Sequence, residues 1–410
     1  MKPNKSNFSV HAMCLICVLA IGNTLIYFPK GDSVKSAVFA IAAAAGTSFL
    51  CFFPYCMFFK KLNNNNLSVS FVLKNSKKKP LIFIFIFLIC LLAACFATKD
   101  YVSFIDRYRL IATPRTVLAF CFLLVAFLLS LFKKEAILKF ALISFVYILI
   151  SVPLLFILSS SQFNFKNLLG DVPFNEFLKP YTTILAKSFL PVILTFVFFR
   201  AEFLKKPCKT VGLGFLFAAL ILILCMLNVL LVFGDSTAKN LRIPYAESMS
   251  VIVLGKAFTR LEGYSYLNYY LCSVLKAAVS IAVLRESAEM LLCSQNQKSN
   301  KETANKEPYL ENIKNNANNE NEDDENNENS EEYQDDKSNK KDNKKTKKIK
   351  KYTQIIFLGL VFVYCNLLVL PDIFENIYIS LGIILFEIIF IVISAIFIYP
   401  KGKKFKKPNL

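Results

Sequence analysis

The sequence is nearly without histidine and carries none of the short motifs of soluble enzymes. His11 is the only histidine among 410 residues, which disfavours a metal site, and we expect it to cap the mouth of the first apolar segment. There is no G-x-S-x-G, no H-E-x-x-H, no phosphate loop and no carboxylate pair at catalytic spacing in a soluble segment. These absences argue against an enzyme, and we expect neither a metal nor another cofactor.

Long apolar runs are what the sequence has in abundance. Hydrophobic residues make up 55% of the chain, against roughly 45 to 50% in soluble domains. Since about 20 apolar residues cross a hydrocarbon core of about 30 Å, the runs predict an all-α integral membrane protein. The ten predicted spans lie near 9–28, 34–58, 80–106, 111–132, 135–160, 182–200, 208–233, 266–292, 352–370 and 377–399. The first is too long for a signal peptide, and we expect it to be retained.

The formal net charge of +19 would suit a nucleic-acid partner, but the basic residues lie mostly beside the spans. With the N-terminus inside, the short cytoplasmic segments hold 19 Lys and Arg, and the opposite face holds 12. The positive-inside rule therefore predicts that both termini are cytoplasmic. The expected environment is a lipid bilayer, and no nucleic acid is expected as a partner.

One polar insert divides the apolar sequence. Residues 294–351 are rich in Asn and acidic residues, then in Lys, a composition that predicts a disordered cytoplasmic loop. Its basic end could rest on anionic headgroups or form a solvated linker. The predicted organisation is spans one to eight in 1–293, the insert, spans nine and ten in 352–400, and a basic cytoplasmic tail at 401–410.

Ten spans divide into five plus five, and an odd number in each half makes the second half run inverted, as in LeuT-like transporters. Sites in such folds lie where corresponding helices break. The first span contains Gly22, Asn23 and Thr24, and the sixth contains Ser188 and Pro191. Glycine lowers helix propensity, and proline lacks an amide hydrogen. The matched breaks predict a mid-membrane pocket for a small polar solute, with simple kinks as the alternative.

Ionisable residues at membrane depth are costly and usually face a cavity or a partner. Lys276 lies in the middle of the eighth span and Glu387 in the tenth, where it could be a counter-charge or a satisfied interior carboxyl. Lys187 in the sixth span faces the site or snorkels to the outer surface.

Tyr101, Tyr266 and Tyr269 line the pocket or form an aromatic belt, and we favour the belt. Arg260 and Glu262 are expected on the outer rim.

The stretch Ile21-Gly-Asn-Thr-Leu-Ile-Tyr-Phe-Pro29 resembles the opening of the spore germination permeases, the B subunits of nutrient germinant receptors. Further matches recur in order along nearly the whole chain apart from the insert. They are Thr113-Pro114, Ile243-Pro244-Tyr245 continuing through Arg260 and Glu262, Leu370-Pro371-Asp372 and, more weakly, Asn167-Leu168-Leu169.

This resemblance implies a fold of the amino acid, polyamine and organocation transporters in the spore inner membrane. It implies a nutrient, typically an amino acid, nucleoside or sugar, bound between the first, third, sixth and eighth helices, with A and C subunits as partners. It also implies that Lys276 stands where related transporters hold a coupling sodium. An amino acid permease coupled to protons or sodium is the alternative function, and a membrane protein without a small-molecule site is a weaker one.

The sequence departs from the family pattern at both predicted breaks. Asn23 replaces the usual second glycine, so the first break is expected to differ in shape. Pro191-Val192-Ile193 replaces the frequent Gly-x-Glu of the sixth span, which disfavours a ligand that needs a negative partner there.

Overall fold

The computed structural model describes residues 5–22, 33–64, 79–108, 113–169, 176–186, 206–241, 243–252 and 261–304. Throughout these ranges the chain forms helices joined by short turns, without a β-strand. The predicted all-α fold is therefore confirmed for this part of the chain. The ninth and tenth spans, and with them Glu387, lie outside the described residues, as does most of the sixth span.

The helices are numbered here in chain order. They are α1 (Lys5–Ile21), α2 (Val34–Asn64), α3 (Lys79–Tyr108), α4 (Arg115–Leu131), α5 (Lys134–Leu158), α6 (178–186), α7 (Pro207–Ala238), α8 (Pro244–Ser250) and α9 (Glu262–Ala304). Two 3₁₀ turns, Ser159–Gln162 and Phe165–Leu168, follow α5.

Five stretches within these helices are long and apolar enough to cross a membrane. They are Val34–Phe53, Ile86–Ile105, Lys134–Gln162, Pro207–Ala238 and Glu262–Glu286. Two shorter apolar helices, Ser9–Ile21 and Arg115–Leu131, correspond to the first and fourth predicted spans. The hydropathy reading therefore located these helices correctly, and α9 continues beyond the predicted span into the start of the insert.

The eighth predicted span, α9, is the centre of the bundle. Its membrane-length segment is 83% buried, whereas the other four membrane-length segments are 39 to 61% buried. It packs against α1, α3, α4, α5 and α8, while α7 packs against α1, α2, α5 and α8. Because α9 is surrounded by protein rather than lipid, it can carry polar side chains at membrane depth.

The outer helices present apolar side chains away from the bundle. On α4 the exposed side chains Phe120, Leu124 and Leu128 repeat every four residues, and on α5 Ile143 and Ile150 are more than half exposed. Water would make such stripes costly, whereas lipid tails are as apolar as the side chains themselves. These faces fit a protein embedded in a bilayer.

Buried polar side chains form hydrogen bonds between the helices, including the short helix α8. Asn228 of α7 donates a hydrogen bond from Nδ2 to Ser248 Oγ of α8 (3.2 Å), and it accepts one at Oδ1 from the Ser159 hydroxyl. Ser151 of α5 donates to Asn268 Oδ1 of α9 at 3.0 Å. All of these side chains are buried, so the bonds join four helices where water cannot compete.

His11 does not have the capping role expected of it. The helix α1 begins at Lys5, which places His11 well inside it. A residue in that position cannot satisfy the first amide groups of the helix, because those groups lie in the preceding turn.

We predict that Asn228→Leu lowers the stability of the bundle, because leucine has the branching of asparagine but cannot hydrogen-bond. The substitution removes the hydrogen bonds to Ser159 and Ser248, and such bonds between membrane helices contribute about 0.6 to 2 kcal/mol each. The midpoint of thermal unfolding in detergent should fall by several degrees. Ser250→Ala is the control, because the Ser250 hydroxyl is exposed and, among the described residues, bonds within its own turn to the Glu247 carbonyl. Equal midpoints for both variants would contradict the role given to Asn228.

Candidate functional site

The first helix stops inside the apolar run that was predicted as the first span. It has 17 residues and ends at Ile21, a length of about 26 Å, short of the roughly 30 Å of a hydrocarbon core. Gly22 follows with a φ of 32°, a left-handed value that costs other residues about 1 to 2 kcal/mol. The end of the helix therefore coincides with the glycine that predicted a break, while Asn23 and Thr24 lie outside the described residues.

Lys276 lies directly against this helix end. Its side chain is fully buried within the membrane-length part of α9, Glu262–Glu286. A β-carbon added at Gly22 would stand 3.7 Å from both Cδ and Nζ of Lys276. In the sequence, Gly22 was singled out as a helix break and Lys276 as a charge at membrane depth, on two different helices. The structure brings them close together.

This arrangement is electrostatically favourable. The last four carbonyl groups of a helix have no partner within it, and its C-terminus carries about half a negative charge. Insertion scales put the cost of a lysine at mid-membrane at about 2.5 to 3.5 kcal/mol, while a cation at a partly buried helix C-terminus gains up to about 2 kcal/mol. The end of α1 can thus offset a large part of the cost of burying Lys276.

The tyrosines predicted near the site form an aromatic cluster between α3, α4 and α9. Tyr101 stacks on Phe122 with centroids 4.8 Å apart and lies 5.4 Å from Tyr270. Phe104 meets Tyr266 and Tyr269 edge to face at 5.0 and 4.8 Å.

The aromatic-belt interpretation is wrong for Tyr269, which is fully buried, because its ring is enclosed by neighbouring helices. Tyr266 is ten residues from Lys276 along α9, or about 15 Å. Contact of Tyr101 or Tyr266 with a ligand stays a prediction.

The remaining predicted site residues are less informative. Glu262 is the first residue of α9, where its carboxylate complements the positive end of the helix. Its predicted role in an outer-rim contact stays a prediction. Lys187, Ser188, Pro191 and Arg260 lie outside the described residues, as α6 is described only to residue 186.

Sequence reasoning missed a second helix break at the far end of α7. Gly234 has a φ of 73° inside this helix. The Leu231 carbonyl accepts hydrogen bonds from the Asn167 side-chain amide (3.1 Å) and the Asn164 backbone amide (2.9 Å). A β-carbon at position 234 would lie 3.0 Å from Asn167 Oδ1, so the tight packing also favours glycine. The weak Asn167-Leu168-Leu169 match was the one signal that pointed here.

The residue after this break caps a different helix. The Asp235 carboxylate accepts hydrogen bonds from the Ser33 hydroxyl (2.9 Å) and from the backbone amides of Val34 (2.7 Å) and Lys35 (3.3 Å). These groups form the N-terminus of α2, and a carboxylate there satisfies unpaired amides and complements the helix dipole. The cap could not be read from the sequence, since about 200 residues separate its parts.

A sequence profile described as spore germination protein matches residues 9–299. The chain belongs to this family. The match extends from the start of the apolar part of α1 almost to the end of α9, so it includes both Gly22 and Lys276. The resemblance inferred from the motifs is confirmed at the level of the family, and the protein is a germination-related, permease-like membrane protein.

This spore germination protein is also similar to a solved structure. A Na⁺-coupled sialic acid symporter in a substrate-bound, outward-open state is 12% identical, with a TM-score of 0.44, over 94% of this chain and 78% of the symporter chain. No curated protein matches the chain significantly.

We predict that Gly22→Ala destabilises the germination protein through backbone strain at a φ of 32°. A strained backbone of this kind costs about 1 to 3 kcal/mol, so the thermal midpoint in detergent should fall. Gly46→Ala is the control: Gly46 lies inside α2, and a β-carbon there meets nothing within 4 Å. That change should be neutral or stabilising, since alanine favours helix by about 1 kcal/mol over glycine. A Gly22→Ala midpoint as high as that of Gly46→Ala would contradict a helix end fixed at this residue.

Proposed function

We propose that this family member is the nutrient-binding membrane subunit of a spore germination receptor. A small polar nutrient, an amino acid above all, binds at a mid-membrane pocket beside the end of α1. The occupied protein then signals to A- and C-type partner subunits. The protein lies in the spore inner membrane with both termini in the cytoplasm.

The observation that carries this proposal is the position of the buried Lys276 side chain beside Gly22 at the end of α1. Main-chain groups at a helix end inside a membrane need partners from outside the helix, and a polar ligand can be one of them. Half-helix ends at mid-membrane are where transporter folds bind their substrates. The family match covers the whole of this arrangement.

A fixed ammonium favours a sensor over an ion-coupled pump. A sodium ion can leave its site and draw energy from a gradient, whereas the charge of Lys276 is covalently attached and stays. A nutrient would then act by binding one of two conformations more tightly, and its differential affinity would set the size of the response. Partner subunits would read the change in population.

We predict that Lys276→Met abolishes or greatly weakens nutrient-triggered germination. Methionine fills a similar volume without the charge that faces the end of α1. Germination of spores carrying the variant is to be scored against amino acids, sugars and nucleosides, starting from a deletion strain complemented with wild type. Lys139→Met is the matched control, because Lys139 is an exposed lysine on α5. Immunoblots of inner-membrane fractions show whether each variant accumulates. Normal nutrient-triggered germination of spores carrying Lys276→Met would contradict the proposal.

A second measurement separates the receptor from a permease. We predict that vesicles containing only this chain take up no labelled amino acid above empty vesicles, with or without a sodium or proton gradient. The reason is that Lys276 occupies the place of a mobile coupling ion. Gradient-dependent uptake by the chain alone would support the permease and contradict the receptor.

A further inference from the structure

A cavity lies where α2 begins and α7 ends, apart from the site at Gly22. Its volume is about 690 Å³, within the range of about 300 to 1,000 Å³ for small-molecule pockets. The lining residues are Lys35, Lys166, Asn167, Leu169, Phe233, Gly234, Asp235, Ser236, Lys239 and Asn240. By the predicted topology this is the outer face of the protein.

The lining is cationic. Three lysines and two asparagines line the cavity, and within the described part of the chain Asp235 is its one acidic lining residue. The Asp235 carboxylate is turned to the start of α2, where it accepts from the Ser33 hydroxyl and two backbone amides. Its charge is thereby engaged with the helix N-terminus, which favours an anion as the occupant of the remaining space.

Two of the lysines are held in place at the wall. Lys35 Nζ donates to the Leu169 carbonyl at 2.5 Å. Lys239 Nζ lies 3.0 Å from the Glu176 carboxylate and 3.8 Å from that of Asp235. These contacts hold both ammonium groups in place, so less side-chain entropy is lost on binding. The ion pair with Glu176 offsets the charge of Lys239, so the attraction for an anion comes mainly from Lys35 and Lys166. Lys166 sits exposed at the rim, where it adds attraction for an incoming anion.

The break in α7 shapes this wall. Gly234 turns the chain at a φ of 73°, and Asn167 packs against it while its amide bonds to Leu231. The turn brings Asp235, Ser236 and Lys239 around the same opening as the 3₁₀ turn that bears Lys166. The polar side chains that line the cavity therefore come from three separate segments: the start of α2, the 3₁₀ turn Phe165–Leu168 and the end of α7.

We propose that this cavity binds a small anion through a phosphate or carboxylate group, with Lys35 and Lys166 as its principal contacts. The volume exceeds that of inorganic phosphate and accommodates a small organic acid or a phospholipid headgroup. The ammonium groups attract the ligand's charge. The side-chain amides of Asn167 and Asn240 donate to the Leu231 and Ser236 carbonyls and so hold the wall in shape. This site is independent of Lys276 and of the proposed nutrient site.

The test uses the purified full chain in neutral detergent, with inorganic phosphate and citrate as probes. The thermal midpoint should rise with either probe, because a ligand that binds the folded state stabilises it. The double variant Lys35→Gln/Lys166→Gln should weaken this dependence about tenfold or more, as lost charge-assisted hydrogen bonds imply. Lys139→Gln, an exposed lysine near the opposite end of α5, should leave it unchanged. An equal response in the double variant would overturn the proposal.

A second arm distinguishes a lipid headgroup from a soluble anion. The same proteins are compared in nanodiscs of phosphatidylcholine alone and with phosphatidylglycerol added. A stabilisation by phosphatidylglycerol that depends on Lys35 and Lys166 identifies a headgroup ligand. Response to the soluble probes alone identifies a free anion, and response to neither refutes the site. Lys276→Met should bind the anions normally, so failure here is distinct from failure of the proposed nutrient site.

Discussion

A positive charge buried in a membrane protein needs a compensating partner, and the described structure is organised around one such charge. Lys276 is fully enclosed in the most central helix. The end of α1 lies beside it, because the helix stops at Ile21 and the lysine side chain comes close to Gly22. A helix C-terminus carries a partial negative charge, so the backbone can compensate the lysine there without a carboxylate. The lysine and the helix end each account for the presence of the other.

The same requirement applies to two further helix ends that the structure describes. A backbone group that loses its helical partner at membrane depth needs another one from the protein. At the break in α7 the Leu231 carbonyl bonds to Asn167, and at the start of α2 the backbone amides bond to Asp235. Each partner comes from a segment distant in sequence. At these helix ends, segments distant in sequence are therefore held together by hydrogen bonds. The breaks at Gly22 and Gly234 each lie beside a candidate site.

Much of the fold could be predicted from hydropathy, because the length of an apolar run is set by the thickness of a bilayer. The spans corresponding to α2, α3, α5 and α7 were located in this way, and Gly22 marked the end of α1. The depth of Lys276 followed from its position in the eighth span. These features depend on local sequence, and local sequence is sufficient to predict them.

What could not be predicted depends on which segments meet. Hydropathy does not say that Lys276 faces Gly22, that Asp235 caps α2, or that Asn228 joins Ser248, since each pair is distant or carried on separate helices. Tyr269 was misassigned to an aromatic belt for the same reason: its burial comes from neighbours on α3 and α8. Family resemblance supplied the expected roles of single residues but not their contacts.

The pairing of Lys276 with the end of α1 is tested most directly by an experimental structure of the full chain in lipid nanodiscs, determined in sodium-containing buffer at a resolution that shows side chains. We expect that α1 ends at Ile21, that Gly22 has a positive φ, and that the Lys276 ammonium lies against this helix end. A helix that continues unbroken through Gly22, or a Lys276 side chain turned towards lipid, would contradict it.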